Sequence, residues 1–327
     1  MPVAIFGSVE AGIIYAIMAL GVYLSFRILD FPDLTVDGSF VTGAAVSAVL
    51  IINGVNPFLA TLASLVAGFI AGCMTGILHT KGKINALLSG ILMMIALYSI
   101  NLRIMGRSNI PLLQESTVIT KLTEFWKGLG IDDTMNGLLG FTPKTWGIIF
   151  FMLILTIAIK LIMDRFLKTE VGLAIRATGD NQTMIRSFSA NTDHLTILGL
   201  GISNALVAFA GGLIAQYNGF SDIGMGIGMI IIGLASVIIG EAVFGKKTIA
   251  RTTLAVIGGA IIYRIVVTIA LRVRFLETSD VKLITALIVI AALVLPKAID
   301  RQKDKKRKSL RLKARASGDL VIGKGGK

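Results

Sequence analysis

Three aspartates, Asp30, Asp33 and Asp37, crowd the junction between two long apolar runs, followed at once by Gly38, Ser39 and Phe40. Carboxylates this close to a membrane-length segment are costly unless they face water or protein. The Asp37–Phe40 segment is therefore expected at an interfacial turn, in helix packing or along a polar pathway. Other polar groups lie inside apolar runs. Asn204 marks either an interhelical hydrogen bond or a pathway. Arg264 must snorkel or find a partner, and Glu10, Asp37 and Asp222 are the candidate carboxylates. The alternation of Gly with Met225 and Met229 over residues 224–229 suits either a surface that repacks or close helix contact. Catalytic machinery is missing: no phosphate-binding loop, Gly-x-Ser-x-Gly elbow or zinc-binding His-Glu-x-x-His occurs. His79 and His194 lack ligand spacing, and Cys73 stands alone inside an apolar run.

The most polar interruption before the C-terminal tail is 169–194. Asp180 is expected to cap a short helix on which Met184, Ile185 and Phe188 share a face. Arg176 and Arg186 add the positive charge that is retained on the cytoplasmic side of membrane proteins. A short, partly apolar helix held against a membrane face is suited to docking on a soluble partner.

The elements that position these residues are membrane spans. The chain has 327 residues, of which 54% are hydrophobic and 16% charged, too few charges to cover a soluble protein of this size. Apolar runs near 20 residues recur, each long enough to cross a hydrocarbon core of about 30 Å. The reading is an all-α polytopic membrane protein with about nine spans, eight or ten being the neighbouring counts. The first span begins near residue 6 as a retained span, the second is entered through the polar 30–40 segment and ends near Asn53, and the others begin near residues 58, 84, 144, 195, 224, 252 and 281. The membrane-spanning body covers 1–296, with a polar loop at 164–194 and a loop of mixed charge and no strong periodicity at 103–143. Gly68, Gly72 and Gly76 repeat at the spacing that lets two helices meet backbone to backbone.

Net charge is +13, and twelve Lys/Arg against three Asp fall in the tail 297–327. Next to a last span this reads as a cytoplasmic anchor and not as a nucleic-acid site. Lys81, Lys83, Arg176, Arg186, Lys246, Lys247 and Arg251 fall on the same side, which puts the N-terminus outside and the C-terminus in the cytoplasm of a plasma-membrane protein. Glu241 is expected on that cytoplasmic face.

Gly172, Arg176, Ala177, Asp180 and Asn191 fall in register with the cytoplasmic loop of ABC importer permeases of the branched-chain amino-acid (LivH-like) type, and the chain resembles that family over most of its length. The resemblance implies that 169–194 is the coupling stretch, with Met184, Ile185, Arg186 and Phe188 against an ATPase subunit. It also implies an extracellular substrate-binding protein landing partly on 103–143, and a second permease chain, read as a homodimer, around a pathway lined by parts of spans 2, 6 and 7. ATP and Mg would belong to the partner ATPase, with no cofactor on this chain. Asp37-Gly38-Ser39-Phe40 aligns loosely with a family motif. The cargo is then an amino acid or similar small solute, aromatic amino acids among the options. An ion-coupled secondary transporter or channel is the rival, but the chain has few mid-span carboxylates and carries a docking helix that such a carrier does not require.

Overall fold

The computed structural model describes residues 2–130, 132, 145–187, 191–271 and the single positions 283, 286, 287 and 290. Apolar runs become helices because the lipid phase offers backbone groups no water, so each segment must satisfy its own. α1 runs Pro2–Val22 and continues as one wider π-helical turn, Tyr23–Ile28. α2 (Thr35–Ile52), α3 (Pro57–Thr80) and α4 (Ala86–Met105) follow. The 103–143 loop holds a short strand β1 (Asn109–Pro111) and a helix α5 (Val118–Gly128). Next come α6 (Gly147–Phe166), α7 (Glu170–Asp180), α8 (Gln182–Ser187) and the long α9 (Thr192–Asn218). β2 (Phe220–Asp222), α10 (Met229–Phe244) and α11 (Ile249–Ala270) complete the described chain.

Seven helices among the described residues, α1–α4, α6, α9 and α11, are long and apolar enough to cross a membrane. α10 is apolar but has only 16 residues, about 24 Å of helix. Apart from those four single positions, the expected last span at 281–295 and the basic tail lie outside the described residues, so a count of nine is not reached within them.

Two differences from the sequence reading have clear causes. The seventh span starts at Met229 and not near 224, because Gly228, at φ +87°, turns the chain in the left-handed region that favours glycine. The 103–143 loop is partly ordered secondary structure. α5 opens with a Thr117–Thr120 capping box and buries Val118, Ile119 and Trp126, residues at helical spacing that the mixed charges around them obscured. β1 pairs antiparallel with β2, Ile110 opposite Ser221, tying the loop to the end of α9.

The centre of the molecule is α9, with α1, α2 and α3 packed around it. The glycine repeat of α3 faces it: a Cβ at Gly68 or Gly72 would run into the carbonyl oxygens of Asn204 or Leu200, and one at Gly76 would lie 2.7 Å from Ile197 Cα. The opposite side of α3 presents Leu59, Leu62, Val66 and Ile70 outward, as a lipid-facing helix does. α6 does the same with Ile154, Leu161 and Ile162. Replacing Gly72 with Leu should force α3 from α9, costing about 1–3 kcal/mol. The expected result is a Tm several degrees lower in detergent, with loss of the monodisperse gel-filtration peak.

Candidate functional site: a coupling face and an intramembrane cleft

At one end of the bundle lie α7 and α8. Thr169 caps α7, its Oγ1 accepting from Gly172 N at 3.2 Å. Gly172 is buried where any side chain would meet the Phe166 carbonyl, and Gly179 likewise abuts the Ile28 carbonyl at the end of α1's π-turn. Ile175 is fully buried in a cluster with Leu29, Phe31 and Leu200. Arg176 and Ala177 are half-buried. Asp180 does not cap α8. It is the exposed last residue of α7, and Asn181 takes the capping role, Oδ1 accepting from Met184 N at 3.0 Å. Asn has a cap propensity equal to Asp, so residue type alone did not fix which neighbour served.

On α8, Ile185 is buried and Met184 is half exposed; Phe188 lies outside the described residues. Arg186 donates to Thr192 Oγ1 at 2.9 Å and pairs with Asp193 at 3.3 Å. Asn191 caps α9, accepting from the N–H groups of Asp193 and His194. With His79, Lys83 and Asn85 these residues line a cleft of about 830 Å³. Glu241 sits at the same end, held by a bidentate pair with Arg27 at 2.9 Å. Val171, Leu173 and Met184 are exposed apolar side chains on α7 and α8.

The second site lies inside the bundle. Gly38 packs against Met94 and Leu97 in the middle of α4, so Asp37 is level with the middle of that helix. Its Oδ2 accepts from Gly228 N at 2.9 Å and its Oδ1 from Ile230 N at 2.8 Å. A carboxylate on α2 thus caps α10 from across the fold, satisfying N–H groups that have no partner within their helix and opposing the positive end of its dipole. Gly226 makes the approach feasible, because a side chain there would collide with the Asp37 carbonyl.

Beside this cap is a cleft of about 460 Å³, lined by Asp37, Val41, Met94, Tyr98, Asn101 and Ile227 among others. Asn101 is fully buried; its Nδ2 donates to Gly38 O at 3.1 Å, and its Oδ1 has no partner. The sequence reading missed Tyr98 and Asn101, although polar atoms three residues apart inside a span mark one helix face.

The other expected pathway residues are placed elsewhere. Ser39 is fully buried, and its Oγ has no partner. Asn204 is fully buried, donating to Asp33 Oδ2 at 2.6 Å and to the Leu200 carbonyl at 3.0 Å. Asp33 also accepts from Thr35 N at 2.9 Å; burial pushes its carboxyl above the usual range, and these hydrogen bonds oppose that shift. Met225 and Met229 pack, half-buried, against the core around Phe40, Val207 and Leu213. The Arg264 guanidinium lies over the Tyr15 ring, 4.4 Å from its centroid. Of the carboxylates considered for it, Asp37 binds α10 and Asp222 binds Asn109 and Gly224 N, while Glu10 accepts from the Tyr217 hydroxyl at 2.9 Å.

Residues 4–294 match the family described as the branched-chain amino acid transport system permease component. The chain belongs to that family of ABC importer permeases. The permease is 45% identical to a tyrosine transport system permease protein of Clostridioides difficile, over 86% of this chain and 87% of the relative. It is 34% identical to an uncharacterised protein of Rickettsia prowazekii over 88% and 95% of the two chains. A probable branched-chain amino acid transport permease of Methanocaldococcus jannaschii is 27% identical over 63% and 64%. The permease is therefore the membrane-embedded transport subunit of an ABC importer for small solutes, without an ATPase site of its own, and functions with ABC transporter partners.

Removing the cap tests the intramembrane joint. Asp37→Ala should cost about 0.5–2 kcal/mol and speed amide hydrogen exchange over 226–232 roughly 2- to 30-fold, whereas Asp37→Asn, which keeps one of the two acceptors, should retain part of the protection.

Proposed function

We propose that this permease moves an aromatic amino acid of the tyrosine class into the cell. The similarity to the tyrosine permease, at 45% identity over most of both chains, carries that reading. The chemistry of the cleft agrees with it: largely apolar walls with one aromatic ring and a few polar groups suit a small molecule with a large apolar side chain and one polar head.

In this reading the α7–α8 end is cytoplasmic and the N-terminus external, since Lys81, Lys83, Arg176, Arg186, Lys246 and Lys247 gather at that end. The ATPase subunit, which carries ATP and Mg, docks on Gly172–Asn191, with Leu173 and Met184 as its apolar contacts. An extracellular binding protein delivers the solute to the face formed by β1, β2 and α5. Two permease chains pair around the pathway, and ATP binding on the partners draws the coupling stretches together. Asp37 lies at the heart of that pathway, with Ser39, Asn204, Met225, Met229 and Arg264 shaping the helices around it.

Two measurements test this. Leu173→Asp with Met184→Asp should lower ATPase co-purification roughly tenfold, the scale expected for exposed interface anchors, with membrane insertion unchanged. Retained co-purification would remove the coupling assignment. Proteoliposomes holding the permease, its ATPase and its binding protein should accumulate radiolabelled L-tyrosine on addition of ATP, and accumulation of ribose but not tyrosine would overturn the substrate class.

A further inference from the structure

We propose that the cleft between α2, α4 and the turn at 223–227 binds the ammonium group of the transiting solute, with Asp37 and Asn101 as its acceptors. The inference rests on the amino-acid reading above and adds the contact by which the permease itself would recognise such a solute.

The polar wall of the cleft is rich in acceptors. Each Asp37 oxygen takes one backbone N–H, from Gly228 or Ile230, and an ionised carboxylate has about four lone-pair sites in all, so both oxygens retain capacity. Asn101 supplies the independent observation. It is a fully buried residue of the cleft wall, its Nδ2 donates to the Gly38 carbonyl, and its Oδ1 has no partner. A buried acceptor without a donor is a standing cost that a ligand N–H removes.

The N–H groups of Gly228 and Ile230 are already taken by Asp37, Met229 N bonds Gly226 O, and Ile231 N bonds Gly228 O. A carboxylate therefore finds no free N–H at this end of α10, while a cation finds one negative charge and one neutral acceptor. Beyond them, Val41, Met94, Tyr98 and Ile227 offer apolar and aromatic surface to the rest of the molecule. A primary ammonium with an apolar or aromatic body matches both halves.

The test uses the intact transporter in proteoliposomes. Cys73 is the single cysteine of the chain, so Cys73→Ala gives a clean background in which Ile227→Cys places one thiol at the exposed edge of the cleft. Its labelling rate is measured with a cationic ethylammonium methanethiosulfonate and with the anionic sulfonatoethyl reagent. The cationic reagent should react several-fold faster relative to its rate with a free thiol, and adding Asp37→Asn, which keeps a capping oxygen, should shrink that preference at least fivefold. Asn101→Asp, which adds charge at the second acceptor, should enlarge it. L-tyrosine should slow labelling, and its deaminated analogue 3-(4-hydroxyphenyl)propionate should not.

An unchanged preference in a monodisperse Asp37→Asn protein, or equal protection by the deaminated acid, would overturn the site. Wild-type liposomes that accumulate no tyrosine while the preference still falls with Asp37→Asn would remove the substrate reading and leave the cation site standing.

Discussion

The fold depends on a carboxylate that holds a helix end inside the bundle. α10 starts beside the middle of α4, and Asp37 supplies acceptors for its first N–H groups from α2. Without that bond the start of α10 would present unsatisfied donors to an apolar interior, and a 16-residue apolar helix would have no reason to stop where it does. The bond also explains why an aspartate is tolerated in a span at all. Its charge meets the positive end of a helix dipole and two donors, so it needs neither a metal nor a cationic side chain.

The close packing around α9 makes such a joint definite. α3 meets α9 along three glycines, α1 meets it at Gly21 beside the Ser203 carbonyl, and Gly211 lies against the Phe40 carbonyl of α2. Contacts of this kind leave no side chain to deform, so neighbouring helices shift as units or not at all. Asn204 extends the same logic to polar groups: it joins α9 to the Asp33 turn in the interior.

Much of this was legible in the sequence, and the part that was not has a common cause. Span boundaries followed from apolar length, and the Gly68, Gly72 and Gly76 spacing announced a backbone-to-backbone contact, because both are local patterns with one physical solution. The Gly172–Asn191 stretch stood out as polar in an apolar chain, and the short helix expected in it is α8; α7 before it was not expected. Asp180 and Asn181 were indistinguishable as caps by residue type, and the structure chose the second. The role of Asp37 was out of reach for a different reason. Its partners Gly228 and Ile230 lie about 190 residues away, and no periodicity links a residue on one helix to the end of another. Tyr15 beneath Arg264 was hidden the same way, since a search for carboxylates passes over a ring face.

One short segment connects the two faces of the site. α7 is pressed against the π-turn of α1 through Gly179 and Ile28, and Ile175 is buried with Leu29 and Phe31. Four residues later Thr35 hydrogen-bonds Thr75 of α3, and Asp33 holds Asn204 of α9. Asp37 then holds the start of α10, whose far end returns through Glu241 to Arg27, on the same π-turn. Residues 27–37 and α10 thus form a closed loop of contacts that begins and ends beside α7. A displacement of α7 by a docked partner cannot move the π-turn alone, because the turn is bonded to both ends of this loop. The intramembrane cleft lies at the apex of the loop, where a shift of α10 relative to α2 would alter the distance between Asp37 and the wall bearing Gly226 and Ile227. On the coupling reading proposed above, work delivered at α7 would reach the cleft through covalent chain and two carboxylate bonds, those of Asp37 and Glu241.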